Sequence, residues 1–430
     1  MRRLYSLLLY LLVPFVILRL LWRSRRAPAY RRRWAERFGF VAPLPVNDAV
    51  WVHAVSVGEV QAALPLIAWL RQERGLPVLV TTTTVTGSER VRQHFGDKVF
   101  HVYAPYDLPG AVRRLLKRAR PRMVIIMETE IWPNLFHQCR VRGIPVILAN
   151  ARLSTQSARG YRRVRSLTNA TLRNVTELAA QARPDADRFI ALGMDAQHVH
   201  VTGNIKFDVN LPADLRARAA QLRRAWGEHR PVWVAASTHS GEEEQVLSAF
   251  AMVRTRLPEV LLVLVPRHPE RFDGVAELCR RRGYVVARRS GQGSVSGEVS
   301  VFLGDTMGEL PLFYAAADVA FVGGSLVATG GHNILEAAAL GVPVVVGPHT
   351  FNFLEITQAL IGHGAGARVQ NEMELATAVV RYLENAKLRD AAGSCGRELV
   401  ERNRGALTKL QAVLSEQLSA ASSQNKIDGY

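Results

Sequence analysis

Twelve short apolar runs, separated by longer amphipathic stretches, limit this chain more than any other feature of it. Six fall in a first series at 49–53, 77–82, 99–103, 123–127, 145–150 and 178–181. Six more follow at 231–236, 260–265, 284–287, 299–303, 318–322 and 343–347. They are mostly unalternating and are bounded by Gly, Pro or polar residues, as parallel strands covered on both faces are. Amphipathic stretches such as 61–72 and 242–256 supply the crossover helices between them. The alternation stalls between Thr202 and Arg230. At 430 residues the chain exceeds one ordinary core. The expectation is an α/β protein of two Rossmann-like doubly wound halves, 23–205 and 206–430, facing across a cleft. In open parallel sheets ligands bind beyond the carboxyl ends of the strands, so residues just after each run are the candidates for function.

The formal charge of +18 calls for an acidic partner. Nucleic acid lacks support, because no zinc-finger spacing, RNP-like aromatic cluster or basic zipper occurs. Ten arginines instead crowd the first fifty residues, at 2, 3, 19, 23, 25, 26, 31, 32, 33 and 37. They flank residues 4–22, LYSLLLYLLVPFVILRLLW, close to the roughly 20 apolar residues that cross a bilayer. Pro14 and Arg19 interrupt that segment. Arginines 23, 25 and 26 follow it directly, which argues against a cleaved signal. Residues 1–22 are therefore read as a membrane anchor, spanning or lying in the interface, with the rest of the chain on the cytoplasmic side and anionic lipid as partner. The three cysteines, Cys139, Cys279 and Cys395, have no metal-like spacing and fit a reducing compartment.

Several motifs follow the predicted strands directly. HAVSVGE ends at Glu59, where a carboxylate could take a proton from an attacking hydroxyl. Ser56 to Glu59 also reads as a capping box, which alone would account for the acid. METEIWPN presents Glu128 and Glu130 beside a Trp-Pro, either as chemistry or as loop polarity. GNIKFD carries Lys206, one of six lysines in the chain, suited to a point contact with a phosphate or carboxylate. PRHPER sets Arg267 and His268 at a strand end, where Arg makes bidentate phosphate contacts. GDTMGEL contributes Met307, Gly308 and Glu309. In GGSLVATGGHNILEAAALGVPVVVGPH, Gly323 and Gly324 allow close backbone approach to a ligand. Asn333, Ile334, Leu335 and Glu336 open a predicted helix whose amides could hold phosphate, with Glu336 accepting from ribose hydroxyls. Asn333 and Glu336 equally satisfy cap preferences. Asp185-Ala-Asp187 matches the D-x-D pattern of metal-dependent transferases, but carboxylates at a helix start explain it more simply. The basic stretch 159–165 is either a lipid-phosphate surface or a solvated helix face.

Taken in order, HAVSVGE, METEIWPN, GNIKFD, PRHPER, GDTMGEL and GGHNILE resemble the motifs of the 3-deoxy-D-manno-octulosonic acid (Kdo) transferases, from the amino-terminal segment nearly to residue 415. Ile334 departs from the family, which often has Pro there. The resemblance implies an inverting GT-B glycosyltransferase that moves Kdo from CMP-Kdo to a lipid A precursor at the inner membrane. It implies that Glu59 is the general base, that Glu130 and Lys206 stabilise the transition state or position the donor, and that Arg267, His268, Met307–Glu309 and Asn333–Glu336 bind CMP. It implies no dedicated metal site and no cofactor beyond the donor. The rival readings are a GT-B enzyme using a UDP-sugar and a basic membrane-associated binding module.

Overall fold

A computed structural model of the protein describes residues 1–26, 33–291 and 297–427. Arg31 and Arg32 of the basic cluster lie outside the described residues. The chain divides into two compact units, Met1–Asp208 with Arg404–Tyr430, and Val209–Asn403.

The first unit is built on a parallel sheet of β1 (Val50–His53), β2 (Val78–Thr82), β3 (Phe100–Tyr103), β4 (Met123–Met127), β5 (Val146–Ala151), β6 (Glu177–Ala180) and β7 (Val199–Val201). Their order is β3-β2-β1-β4-β5-β6-β7. The strands read as continuous apolar runs because both faces are covered. Val50, Val52, Ile125 and Met127 point into one core with the helix Val57–Gln72. Trp51, Val124 and Ile126 point into the other, as the two-residue period requires.

The final helix, Ala406–Ile427, returns to this first unit. Leu410, Leu414 and Leu418 enter the same core as Val50 and Val52. Burying three leucines contributes at most about 5–9 kcal/mol. The Asp208 carboxylate accepts from Gly405 N (2.6 Å) and Leu407 N (2.5 Å), closing the helix start. The expected second half, 206–430, is corrected accordingly: the division falls after Asp208, and 404–430 leaves that half.

The second unit repeats the plan with β8 (Val232–Thr238), β9 (Leu261–Pro266), β10 (Val286–Arg288), β11 (Val301–Leu303), β12 (Val319–Val322), β13 (Val344–Val346) and β14 (Gly366–Arg368). Its order is β10-β11-β9-β8-β12-β13-β14, again with all pairs parallel. In each sheet the chain winds one way and then the other. The reversals lie between β1 and β4 and between β8 and β12, and such switch points open a crevice at the strands' carboxyl ends.

The amino-terminal segment is one helix, Arg2–Arg26, passing through Pro14. Its residues from Arg2 to Trp22 are long and apolar enough to cross a membrane. A stripe including Tyr5, Leu9, Val13, Val16 and Leu20 is half-buried, while Leu4, Leu8, Leu11, Phe15 and Leu18 are exposed. Arg2 Nη1 and Ser6 Oγ donate to Asn134 Oδ1 at 3.1 and 3.0 Å.

Candidate active site

At the first switch point, Ser56 caps the helix Val57–Gln72 by accepting from Glu59 N at 3.2 Å. The expected capping box would have Glu59 accept the Ser56 amide. Its carboxylate instead accepts from Val55 N and from the Ser56 hydroxyl, both at 2.9 Å. Glu59 is only 7% exposed. Burial, opposed in part by the Val55 bond and reinforced by the nearby Glu128 and Glu130, pushes its carboxyl from 4.5 up to about 7. A capped, buried acid at this position is therefore poised for proton transfer near neutral pH.

The segment after β4 supplies the neighbours. Glu128 adopts a positive φ of 56°, held by its amide donating to Ala149 O at 2.9 Å. Lys206 Nζ donates to Glu128 Oε1 at 3.0 Å, with both side chains mostly buried. The turn that presents Lys206 is fixed from β5: Asn150, also at positive φ, accepts Ile205 N at 3.1 Å, and Asn204 accepts Lys206 N at 3.0 Å. Glu130 takes a different partner, accepting from Trp132 Nε1 at 2.7 Å, and burial pushes its carboxyl upward. The Trp132 ring meets His53 edge-on, with centroids 4.7 Å apart. His53 is fully buried and burial drives its pKa down to about 3, so the imidazole is neutral. Its Nδ1 lies 2.7 Å from Thr81 Oγ1, while its Nε2 finds no hydrogen-bond partner among the described residues. Three carboxylates and one ammonium thus gather at one strand-end crevice.

In the second unit, the loop after β12 is organised by a residue that sequence reading did not single out. The fully buried Glu242 accepts from Gly324 N (2.7 Å), Ser325 N (3.1 Å), Leu326 N (2.9 Å) and His239 N (3.1 Å). A Cβ on Gly323 would lie 2.7 Å from the Glu242 carboxylate, so glycine is needed there. The Gly323–Gly324 backbone was expected to approach a ligand. The Gly324, Ser325 and Leu326 amides instead face this carboxylate.

Arg267 and His268 follow β9, as expected. His268 is edge-on to His239, which follows β8, with centroids 5.3 Å apart. His239 Nε2 lies 2.7 Å from His332 Nε2. Met307 is exposed, and Gly308 holds a positive φ of 82°. Glu309, expected to contact the nucleotide, is bound bidentately by Arg289 at 2.8 and 2.9 Å, and that guanidinium holds its carboxyl down to about 2. The helix opened by Asn333 is only Leu335–Ala339, with Ile334 as cap residue. Leu335 N donates to Asn333 Oδ1, and Asn333 Nδ2 to Glu336 Oε1, both at 3.1 Å. A helix that short offers little macrodipole for a phosphate. Asp185 accepts Leu153 N at 2.9 Å and pairs with Arg188, in keeping with its reading as a helix-start carboxylate.

Two parallel doubly wound units, each with polar side chains at its switch point, define a GT-B glycosyltransferase. Residues 32–209 match the family described as 3-Deoxy-D-manno-octulosonic-acid transferase (kdotransferase), and residues 242–399 match Glycosyl transferases group 1. The chain is 42% identical to the 3-deoxy-D-manno-octulosonic acid transferase of Haemophilus influenzae, over 96% of this chain and 98% of that one. It is 39% identical to the enzyme of the same name from Bordetella pertussis, over 97% and 99%. The chain belongs to the Kdo transferase family. Its fold is also that of the UDP-GlcNAc 2-epimerase from Neisseria meningitidis, with a TM-score of 0.54, 16% identity, and coverage of 86% of this chain and 100% of that one.

Glu242, His239, His332 and His53 escaped the sequence reading. His53, His239 and Glu242 sit at or within a few residues of a strand end, the signal that could have raised them, whereas His332 lies far along the loop after β12.

Proposed function

We propose that the chain transfers Kdo from CMP-Kdo to the lipid A precursor, with inversion, and that Glu59 is the base. The observation that carries this is the buried Glu59 carboxylate at the first switch point, its pKa about 7 and its two oxygens fixed by Val55 N and Ser56 Oγ. An acceptor hydroxyl gives its proton to Glu59 as its oxygen bonds to the anomeric carbon of Kdo. The bond from that carbon to the CMP phosphate breaks, and the electron pair leaves with CMP. Lys206, fixed by Glu128, supplies positive charge beside the acids, and Glu130 is held by Trp132. In the second unit Arg267 and His268 receive the donor's anionic groups, and Met307–Gly308 and Asn333–Glu336 border the nucleotide. Since CMP is an activated leaving group, this reading invokes no cofactor and no resident metal.

The same reading makes the helix Arg2–Arg26 the attachment to an anionic inner-membrane leaflet, with both units on the cytoplasmic side. Its exposed leucines and flanking arginines support this.

The test is Kdo transfer from CMP-Kdo to purified lipid A precursor by wild type, Glu59→Gln and Glu59→Ala. Transfer by wild type, reduced at least about 100-fold in both variants with folding and CMP binding retained, is expected. Variants that match wild type would remove Glu59 from the chemistry. A folded wild type that transfers only from a UDP-sugar would overturn the donor.

A further inference from the structure

Beyond the carboxyl ends of β8 and β9, and on the loop after β12, three imidazoles and a guanidinium converge within the second unit. The His239 and His332 rings are nearly parallel, 3° apart, with centroids at 5.0 Å and Nε2 atoms at 2.7 Å. Two imidazole nitrogens at that distance share one proton: one Nε2–H donates and the other Nε2 accepts. His332 is fixed by a curled loop, in which Gly331 N donates to Gly324 O at 2.7 Å. A Cβ on Gly324 would come within 3.1 Å of its ring.

The neighbouring charges favour an anion. Arg267, Arg271 and His268 act on His239, and Arg267 and His268 act on His332. Of the acids close by, Glu242 is held by four backbone amides and Glu243 by Arg271 at 2.5 Å, while the exposed Glu270 carboxylate lies 4.0 Å from His268 Nδ1. Burial first, then Arg267, drives the His332 pKa down to about 3, and burial lowers that of His239. The pair is thus neutral in the free protein. Added to the imidazole that donates, a proton at its Nδ1 would turn the Nε2–H···Nε2 contact into a charge-assisted hydrogen bond, the stronger kind. What the pair lacks for this is a negative charge to offset Arg267.

We propose that His239 and His332 form a proton-accepting part of the donor's anion site, taking up one proton when the donor's phosphate or carboxylate docks beside Arg267. The proposal rests on the second unit holding the donor. It makes donor binding stronger as pH falls, up to tenfold per pH unit for one linked proton. It also assigns His239 and His332 as binding residues alongside Arg267 and His268.

The experiment titrates CMP and CMP-Kdo separately into the full-length protein between pH 6.5 and 8, calorimetrically, in two buffers of different ionisation heat. The phosphate of CMP itself titrates near pH 6, so the readout is wild type minus His332→Asn. Wild type is expected to take up close to one proton per bound donor and His332→Asn none, so that wild type binds the donor more tightly and its advantage over His332→Asn widens as pH falls from 8 to 6.5. His239→Asn provides the same comparison if His332→Asn does not fold. An uptake difference with CMP assigns the phosphate as the anion, and one confined to CMP-Kdo assigns the carboxylate. Tight binding of CMP-Kdo with no difference in uptake overturns the proposal alone. No binding of either ligand overturns the donor reading and takes the proposal with it.

Discussion

Lys206 and Glu128 meet at 3.0 Å across 78 residues of sequence, tying the turn after β7 to the end of β4. Glu128 is one of the two acids that push the Glu59 carboxyl upward. The Lys206 ammonium therefore acts on Glu59 indirectly, by offsetting a charge that opposes its ionisation.

Lys206→Met removes that offset while keeping most of the side-chain volume. The Glu128 carboxylate, mostly buried, is left without its cation, which costs about 1–3 kcal/mol, between surface and fully buried pairs. The Glu59 carboxyl becomes harder to ionise. The acidic limb of the kcat/KM profile for Kdo transfer is expected to move to higher pH by about half a unit or more. Glu128→Gln should move it the other way. A pH–rate series on the two variants checks both signs, and unmoved limbs would separate Glu128 from Glu59.

Glu59 itself trades stability for function. Its folded pKa, about 7, lies above the ordinary 4.5. The fold thus favours the protonated form, and the stability this contributes is fully present below about pH 4.5 and lost as pH rises through 7. At pH 8 the ionised acid costs on the order of 3 kcal/mol relative to its neutral form. Glu59→Gln, a neutral near-isostere, is expected to be inactive and yet more stable than wild type at pH 8, with the gap closing by pH 5. Denaturant unfolding at the two pH values measures it.

What the sequence disclosed follows a physical division. Strands buried on both faces, such as Val78–Thr82 and Met123–Met127, read as apolar runs and fell where expected within a residue or so. The three-residue edge strands Val199–Val201 and Gly366–Arg368 were missed, because a half-exposed Val-His-Val or Gly-Ala-Arg has no such pattern. The return of Ala406–Ile427 to the first unit was equally hidden, since an amphipathic stripe does not state which core it covers. In the candidate site, strand-end position pointed to Glu59, Glu130, Arg267 and His268, and the rarity of lysine in the chain pointed to Lys206. It could not tell that Lys206 pairs with Glu128, or that Arg289 takes Glu309. Those pairings join segments far apart in sequence and exist only once the chain is folded.

The amino-terminal helix should loosen when its polar latch is cut. Asn134 Oδ1 accepts from both Arg2 and Ser6, and Asn134 N and Leu135 N donate to Asp107 at 3.0 and 2.8 Å. Asn134→Ala deletes the acceptor and leaves the buried Ser6 hydroxyl only its bond to Arg2 O at 3.0 Å. Losing these contacts costs about 1–3 kcal/mol locally. Hydrogen exchange of amides in residues 2–10 is expected to accelerate about tenfold or more, with the β1 and β4 amides unchanged. Equal protection in the variant would mean that the apolar stripe alone holds the helix in place.

Glu242 gives the sharpest contrast between two conservative changes. Its two oxygens accept four backbone N–H groups, from Gly324, Ser325, Leu326 and His239, in a place with no exposure to solvent. Burial pushes its carboxyl upward and the four amides pull it down, so the bonds are what make the buried charge tolerable. Glu242→Gln keeps the volume but turns an NH2 group toward amides that can only donate, leaving two donors opposed. Glu242→Ala leaves four amides unmet and opens a cavity. Losses of about 2–4 kcal/mol for Gln and more for Ala are expected from buried donors left unsatisfied. Because these amides belong to the loop that carries His332, Glu242→Gln should also weaken CMP binding by about tenfold or more. Transfer should lose more through the KM for the donor than through the KM for the lipid acceptor. A Glu242→Gln protein that melts with wild type and binds CMP equally well would show that solvent, not this carboxylate, satisfies the loop.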